Sequence, residues 1–339
     1  MNLNRRTLTV NRLAVMTVLA AMAAMAVMAT LALPGQAQDF PTKPIRMVVG
    51  YAAGGPTDVI ARLVAQDLQA ALGQAVVVEN KSGANGNIAT EDVARAPADG
   101  YTLIVNTLSH NVNALLGAGK VKYDPAKSFA PVSLAVVLPQ VLVVGPDSKY
   151  ATVADLLKAA KSQPGTVSYG SAGNGGSAHL SAALLEVRGG AKMNHIPFRG
   201  NAPALTEVMA GRVDTMFYPM IGVADRVTAR QLKVIGITTK QRHADFPGVP
   251  TMAEAGFPGF EDYIGPVGFL APANTPAPVV AKLSTAIRAS LAKPALQEKL
   301  RSLGAVVVVG SSPDEYRDWL KKDHDRWAQL IKDAGVTAE

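Results

Sequence analysis

Ile45-Arg46-Met47-Val48-Val49-Gly50-Tyr51-Ala52-Ala53-Gly54-Gly55-Pro56-Thr57-Asp58-Val59-Ile60-Ala61-Arg62 reads as a strand, a glycine turn and the start of a helix. The first third is a short apolar run rich in β-branched residues, the pattern of a buried strand. The last third, continued through Leu63 and Val64, places apolar residues at helical spacing, and Pro56 suits a first helical position. A helix start leaves N–H groups without intrahelical partners, and its dipole adds positive potential, so such a turn attracts anions.

A second stretch has the same grammar. Val167-Ser168-Tyr169-Gly170-Ser171-Ala172-Gly173-Asn174-Gly175-Gly176-Ser177-Ala178-His179-Leu180 is a strand, a turn of small residues and a helix from about Ser177. Two anion-competent helix starts, more than a hundred residues apart, predict two lobes that face one ligand.

Residues 1–37 read as a signal peptide. Arg5, Arg6 and Arg12 open the chain without an acidic residue, Leu13 to Leu33 is apolar, and Pro34-Gly35-Gln36-Ala37 offers the small residues of a cleavage site after Ala37. A retained membrane anchor is the competing reading, because the apolar run approaches the roughly 20 residues that span a bilayer. Arg5-Arg6-Thr7-Leu8 also matches a twin-arginine signal weakly, so the export route stays open. With no cysteine, neither a disulfide nor a lipid-modified thiol is available. The remaining chain, about 300 residues, suffices for two lobes with their own cores. Removing three arginines leaves 30 basic against 26 acidic residues, a net charge of +4 without basic runs, which gives nucleic-acid binding little support.

Strands and helices alternate along the chain, which predicts an α/β protein with mostly parallel sheets and helices on both faces. Val136 to Val144 is too long for one ordinary strand and reads as a crossover between lobes; Val267 to Leu270 reads as the return. Thr152 with Asp155 forms a capping-box pattern, and a charged helix from Pro313 to about Ala334, carrying Trp319 and Trp327 as core residues, closes the chain. Ligands of such sheets sit at the carboxyl ends of strands, where both glycine turns lie.

Enzymatic patterns are weak. Gly173-Asn174-Gly175-Gly176-Ser177-Ala178 fits a dinucleotide fingerprint, yet no acidic residue follows at the ribose position. No G-x-S-x-G elbow is complete, and the five histidines show no metal spacing. No cofactor or metal is called for. His179 reads as a packing or hydrogen-bonding residue.

The chain resembles the extracytoplasmic solute receptors of tripartite tricarboxylate transporters, the Bug family. The resemblance runs from about Phe40 to Gly335. It is carried by Phe40-Pro41, Gly54-Gly55 with Asp58 and Ala61-Arg62, Pro97-Ala98-Asp99-Gly100-Tyr101-Thr102-Leu103, and Tyr123-Asp124-Pro125. Gly170-Ser171-Ala172-Gly173 with His179-Leu180, Gly211 with Asp214, Pro250-Thr251-Met252-Ala253-Glu254-Ala255-Gly256, and Ala271-Pro272 with Thr275-Pro276 complete it. It implies a two-lobed periplasmic binding protein of type II topology, a monomer that delivers a small carboxylate to membrane permease subunits. The lobes would be 38–138 with 265–339, and 139–264. Phe198-Arg199-Gly200 stands where the family more often has Tyr-Lys-Gly, and Tyr263-Ile264-Gly265-Pro266-Val267-Gly268 lacks a common tryptophan. A related receptor that signals to a membrane sensor, or a secreted enzyme on the same scaffold, are the alternatives.

The expected ligand site is amide-lined. The first lobe would supply Tyr51, Ala52, Ala53, Gly54, Gly55 and Thr57, with Asn106, Thr107 and Ser109. The second would supply Ser171, Ala172, Gly173, Asn174, Gly175, Gly176 and Ser177, with Phe198, Arg199 and Tyr218. Tyr263 would add an aromatic wall if it lines the cleft. Asp58 is expected to hold the turn, since a carboxylate beside an anion would touch a ligand only through an amine. Arg199 is either a carboxylate clamp or a solvated surface residue.

Overall fold

The computed structural model describes residues 40–117, 121–263, 265–307 and 310–337. The expected signal peptide, Ile264 and the end of the strand expected over Val306 to Val309 lie outside the described residues. The first half runs β1 (Ile45–Val49), α1 (Pro56–Leu72), β2 (Val76–Asn80), α2 (Asn87–Ala94), β3 (Thr102–Asn106), α3 (Ser109–Leu116) and β4 (Phe129–Leu138). The middle runs β5 (Gln140–Val144), α4 (Val153–Ser162), β6 (Ser168–Ser171), α5 (Ser177–Gly189), β7 (Asn194–Pro197), α6 (Asn201–Met209), β8 (Thr215–Pro219), α7 (Val223–Thr228) and β9 (Lys233–Ile237). The chain closes with β10 (Gly265–Pro272), α8 (Ala277–Leu291), α9 (Pro294–Ser302), β11 (Val306–Val307) and α10 (Pro313–Ala334).

Local chemistry sets these elements. In α1, Gly55 is extended at the N-cap, Pro56 opens the helix, and Ile60, Ala61, Val64, Ala65 and Leu68 turn inward. The helix stops where Gly73 takes a left-handed conformation. Thr152 and Asp155 form the expected capping box on α4, and Ser312 with Glu315 forms another on α10.

The strands make two sheets, ordered β11-β4-β10-β3-β1-β2 and β7-β6-β8-β5-β9. The sheets are mixed rather than mostly parallel. The β1–β2, β1–β3, β6–β7 and β6–β8 pairs are parallel, but every described pairing of β4, β5 or β10 is antiparallel. The reason is the crossover. The apolar run Val136 to Val144 breaks at Pro139 into the end of β4 and the whole of β5, so one extended segment serves both sheets. Its two halves and the returning β10 lack the crossover helix that a parallel neighbour needs. The result is an α/β protein of two sheet domains.

The long C-terminal helix touches both. Tyr316 is fully buried in the core of the first sheet with Val48, Ile104 and Leu270. Eleven residues on, Trp327 is fully buried in a second cluster with Leu180, Phe217, Leu108 and Val112. Trp319 is only half-buried at the edge of the first core, unlike the core position expected of it.

Candidate functional site

Parallel strands β1 and β3 of one sheet, and β6 and β8 of the other, bring their carboxyl ends toward one cleft. Between them lies a small cavity of about 40 Å³, lined by Tyr51, Thr57 and Thr107 on one side and Ala172, Gly176 and Ser177 on the other. No acidic or basic side chain lines it. The starts of α1 and α5 both reach it, through Pro56 and Thr57 and through Gly176 and Ser177. Among the described residues, the first-turn N–H groups of Thr57, Asp58, Ser177 and Ala178 donate to no acceptor. Thr57 and Ser177, two of these four, line the cavity at two helix N-termini, where unpaired N–H groups and the helix dipole favour negative charge.

The glycine turns also bond to themselves and to their neighbours. Five of their N–H groups are bonded within the protein. Ala52 donates to the Arg199 carbonyl at 3.3 Å, and Gly176 to the Gly173 carbonyl at 3.1 Å. Gly54 donates to Asp58 at 2.9 Å, Gly173 to Ser171 Oγ at 3.0 Å and Gly175 to His179 Nδ1 at 3.0 Å. These bonds fix the conformation of the turns. Asp58 also accepts from Arg62 and Asn80. Burial alone would push its pKa up, but these bonds outweigh burial and hold the carboxylate below its ordinary 3.8.

Tyr51, Thr57, Thr107, Ala172, Gly176 and Ser177 are therefore brought together, whereas other expected residues stand behind or outside the cavity. Ser109 is a support: its Oγ accepts from the Tyr51 hydroxyl at 2.8 Å. Burial raises the Tyr51 pKa, so the phenol stays neutral and keeps that proton. Asn106 is buried and donates to the Tyr316 hydroxyl at 2.9 Å. Ser171 is fully buried beneath its turn. Gly55 is buried as the α1 cap, while Ala53 and Gly54 are exposed. Tyr218 is 1 % exposed and belongs to the core with Val141 and Leu205, because β8 turns alternate residues away from the cleft. Tyr263 packs on Trp327 with ring centroids 5.4 Å apart, away from the cavity.

A second, outer groove of about 640 Å³ opens beside the first cavity, and Gly173, Asn174, Phe198 and Arg199 line it. Arg199 is exposed and makes no salt bridge among the described residues. Two polar residues went unnoticed in the sequence. Asn85 lines both cavities, in a left-handed conformation (φ 49°, ψ 42°). Asn201 lines the inner one, where its buried Oδ1 has no partner among the described residues. The signal for Asn85 was its setting, Gly83-Ala84-Asn85-Gly86, since asparagine tolerates a left-handed backbone better than most residues.

Residues 60–336 match the model of the tripartite tricarboxylate transporter family receptor. The chain belongs to this family. Protein BugT of Bordetella pertussis is 34% identical over 313 residues, covering 90% of this chain and 94% of its own. An R. palustris protein solved with adipate superposes with a TM-score of 0.84 at 34% identity, covering 88% of this chain and 100% of its own. MatC from Rhodopseudomonas palustris with bound malate gives 0.82 at 32% identity, covering 86% and 100%. The two-sheet architecture is thus that of a periplasmic binding protein, and the protein is a solute receptor.

In this receptor the second glycine turn rests on a stack of rings. His179 and His195 lie 4.3 Å apart between centroids, and Tyr169 lies 4.9 Å from His195. His179 accepts the Gly175 N–H through Nδ1, so it must stay unprotonated there. Burial, reinforced by His195 and Lys192, lowers its pKa from 6.5 to about 3. Burial likewise lowers His110 to about 4. Below pH 6.5 the unfolded chain takes up protons that the folded one refuses, so stability falls as pH drops from 6.5 toward these values. We expect Tm to decline across this window and His179→Asn to flatten the decline. An equal slope in the variant, followed by scanning calorimetry, would contradict the assignment.

Proposed function

We propose that this receptor captures a small carboxylate, a di- or tricarboxylate or an aromatic acid, between two lobes and delivers it to the membrane subunits of its transporter. The lobes are residues 38–138 with 265–339, and residues 139–264. The observation that carries this reading is the pair of helix starts, whose partnerless N–H groups converge on a cavity without a carboxylate of its own. The adipate and malate of the two solved relatives are ligands of the same chemistry. The protein acts as a monomeric binder and not as a catalyst. Ser171 Oγ, at 2.6 Å from His195 Nε2, is fully buried and already bonded to its own turn, so it offers no nucleophile. Signal-peptide removal near Ala37 places the mature chain in the periplasm.

A thermal-shift screen over carboxylates, amino acids and neutral amides tests the reading. A carboxylate at a hundred times its Kd should add about 2.7 kcal/mol of stability by mass action. Stabilisation by a neutral amide and by no carboxylate would overturn it.

A further inference from the structure

Tyr169 of β6, His195 of β7 and His179 of α5 form one column of rings under the second glycine turn, and the two histidines reach different parts of that turn. His179 Nδ1 accepts the Gly175 N–H at 3.0 Å, which puts the proton of the neutral ring on Nε2. His195 Nε2 lies 2.6 Å from Ser171 Oγ. The same Oγ lies 3.0 Å from the Gly173 N–H nitrogen and 3.1 Å from the Gly173 carbonyl oxygen. All three contacts are satisfied together only when the hydroxyl gives its one proton to the carbonyl and His195 donates from Nε2. His179 is thus an acceptor beneath the turn and His195 a donor.

Both bonds lead to the ligand site without entering it. The Gly173 carbonyl also accepts the Gly176 N–H at 3.1 Å, and Gly176 is the N-cap of α5. A path therefore runs from His195 through Ser171 and Gly173 to the start of α5, and a shorter one from His179 through Gly175. Ser177, the first residue of α5, lines the inner cavity. Neither histidine is among the described residues that line that cavity or the outer groove. The turn needs such support, because Gly173 and Gly175 take φ of +125° and +75°, and glycine loses more freedom on ordering than any other residue. Anchors that remove this freedom in advance lower the cost of ordering the site when a ligand binds.

We propose that His179 and His195 are positioning residues for ligand capture. They do not touch the ligand. They fix the second glycine turn from behind, His179 as acceptor at Gly175 and His195 as donor at Ser171, so that the start of α5 is ordered before a carboxylate arrives. This rests on the carboxylate reading above and adds to it the two residues on which the geometry of one helix start depends.

The two roles make opposite demands on side-chain length, which supplies the test. Asn Oδ1 stands as many bonds from Cα as His Nδ1, and the Gln amide nitrogen as many as His Nε2. His179→Asn should therefore bind within about threefold of wild type and His179→Gln about tenfold more weakly, the cost of one lost hydrogen bond. At the other ring the order reverses: His195→Gln should bind within about threefold of wild type and His195→Asn about tenfold more weakly. Isothermal titration uses whichever of succinate, malate, adipate, citrate and benzoate stabilises the wild type most. Amide hydrogen exchange without ligand, read at Gly175 for the first pair and Gly173 for the second, should quicken about tenfold in the same two weak binders. Equal affinities within each pair would overturn the positioning role, as would faster exchange without weaker binding. A wild-type receptor that binds none of these acids would overturn the carboxylate reading instead. Unchanged exchange at both glycines would overturn the anchoring whatever is bound.

Discussion

Gly173→Val is expected to weaken carboxylate binding about a hundredfold, a cost of ~2.7 kcal/mol. Gly173 sits at φ +125°, a conformation that an L-residue adopts only with about 1–3 kcal/mol of strain. The added Cβ also comes within 3.3–3.4 Å of the Cβ, Cα and N atoms of Asn85, on the opposite side of the cleft. Asn85 is held by Asn113 and has little room to withdraw. The substitution therefore pushes the two turns apart across the cleft, and a ligand held from both sides loses affinity. Gly54→Ala is the control. Gly54 also has positive φ, at +76°, but nothing lies within 4 Å of its added Cβ. Sequence reasoning ranks the two glycines together; the structure separates them, because only Gly173 faces backbone across the cleft. Isothermal titration with the carboxylate that most stabilises the receptor should find a loss of no more than a few-fold in Gly54→Ala. Equal affinities in Gly173→Val and wild type would contradict the close approach.

Trp327→Ala is expected to be the most damaging change to stability, at about 3–5 kcal/mol, or a fall in Tm on the order of 10 °C. The indole is fully buried, and its Nε1 donates to Asp323 at 2.9 Å. Its cluster joins Leu108 and Val112, which follow β3, to Leu180 and Phe217 of the other sheet domain. Loss of the ring leaves a cavity where the two domains share a core and removes a donor from a buried carboxylate. Trp327→Phe keeps most of the volume and loses the N–H, so it should cost about 1–3 kcal/mol. Denaturant unfolding of both variants checks this. A Trp327→Ala protein as stable as wild type would show that the C-terminal helix does not contribute to the shared core.

Much of the fold was legible because its signals are local. The strand, glycine and proline of residues 45–56, the Thr152–Asp155 cap and the apolar run broken at Pro139 each act within a few residues. Helix α3 was not anticipated: Ser109-His110-Asn111 opens it with residues of low helical preference, and burial against the rest of the protein carries it. In the same way, the parallel character of the sheets was overestimated, because strand direction after the crossover is a property of topology and not of pattern. The glycine turns marked where the cleft would be. Which of their amides would be consumed by Asp58, Ser171 and His179 depends on three-dimensional proximity, as does the burial of Tyr218 on the far side of its strand. Asn85 carried only a weak local signal, and its place at the cleft depends on proximity to a turn far along the chain.

The most direct test is a crystal structure of the mature receptor with the carboxylate that stabilises it most in the thermal-shift screen. One carboxylate of the ligand should lie in the cavity between Thr57 and Ser177, within hydrogen-bond distance of N–H groups at the starts of both α1 and α5. A carboxylate bound elsewhere on the protein, or held at the start of one helix alone, would contradict the account.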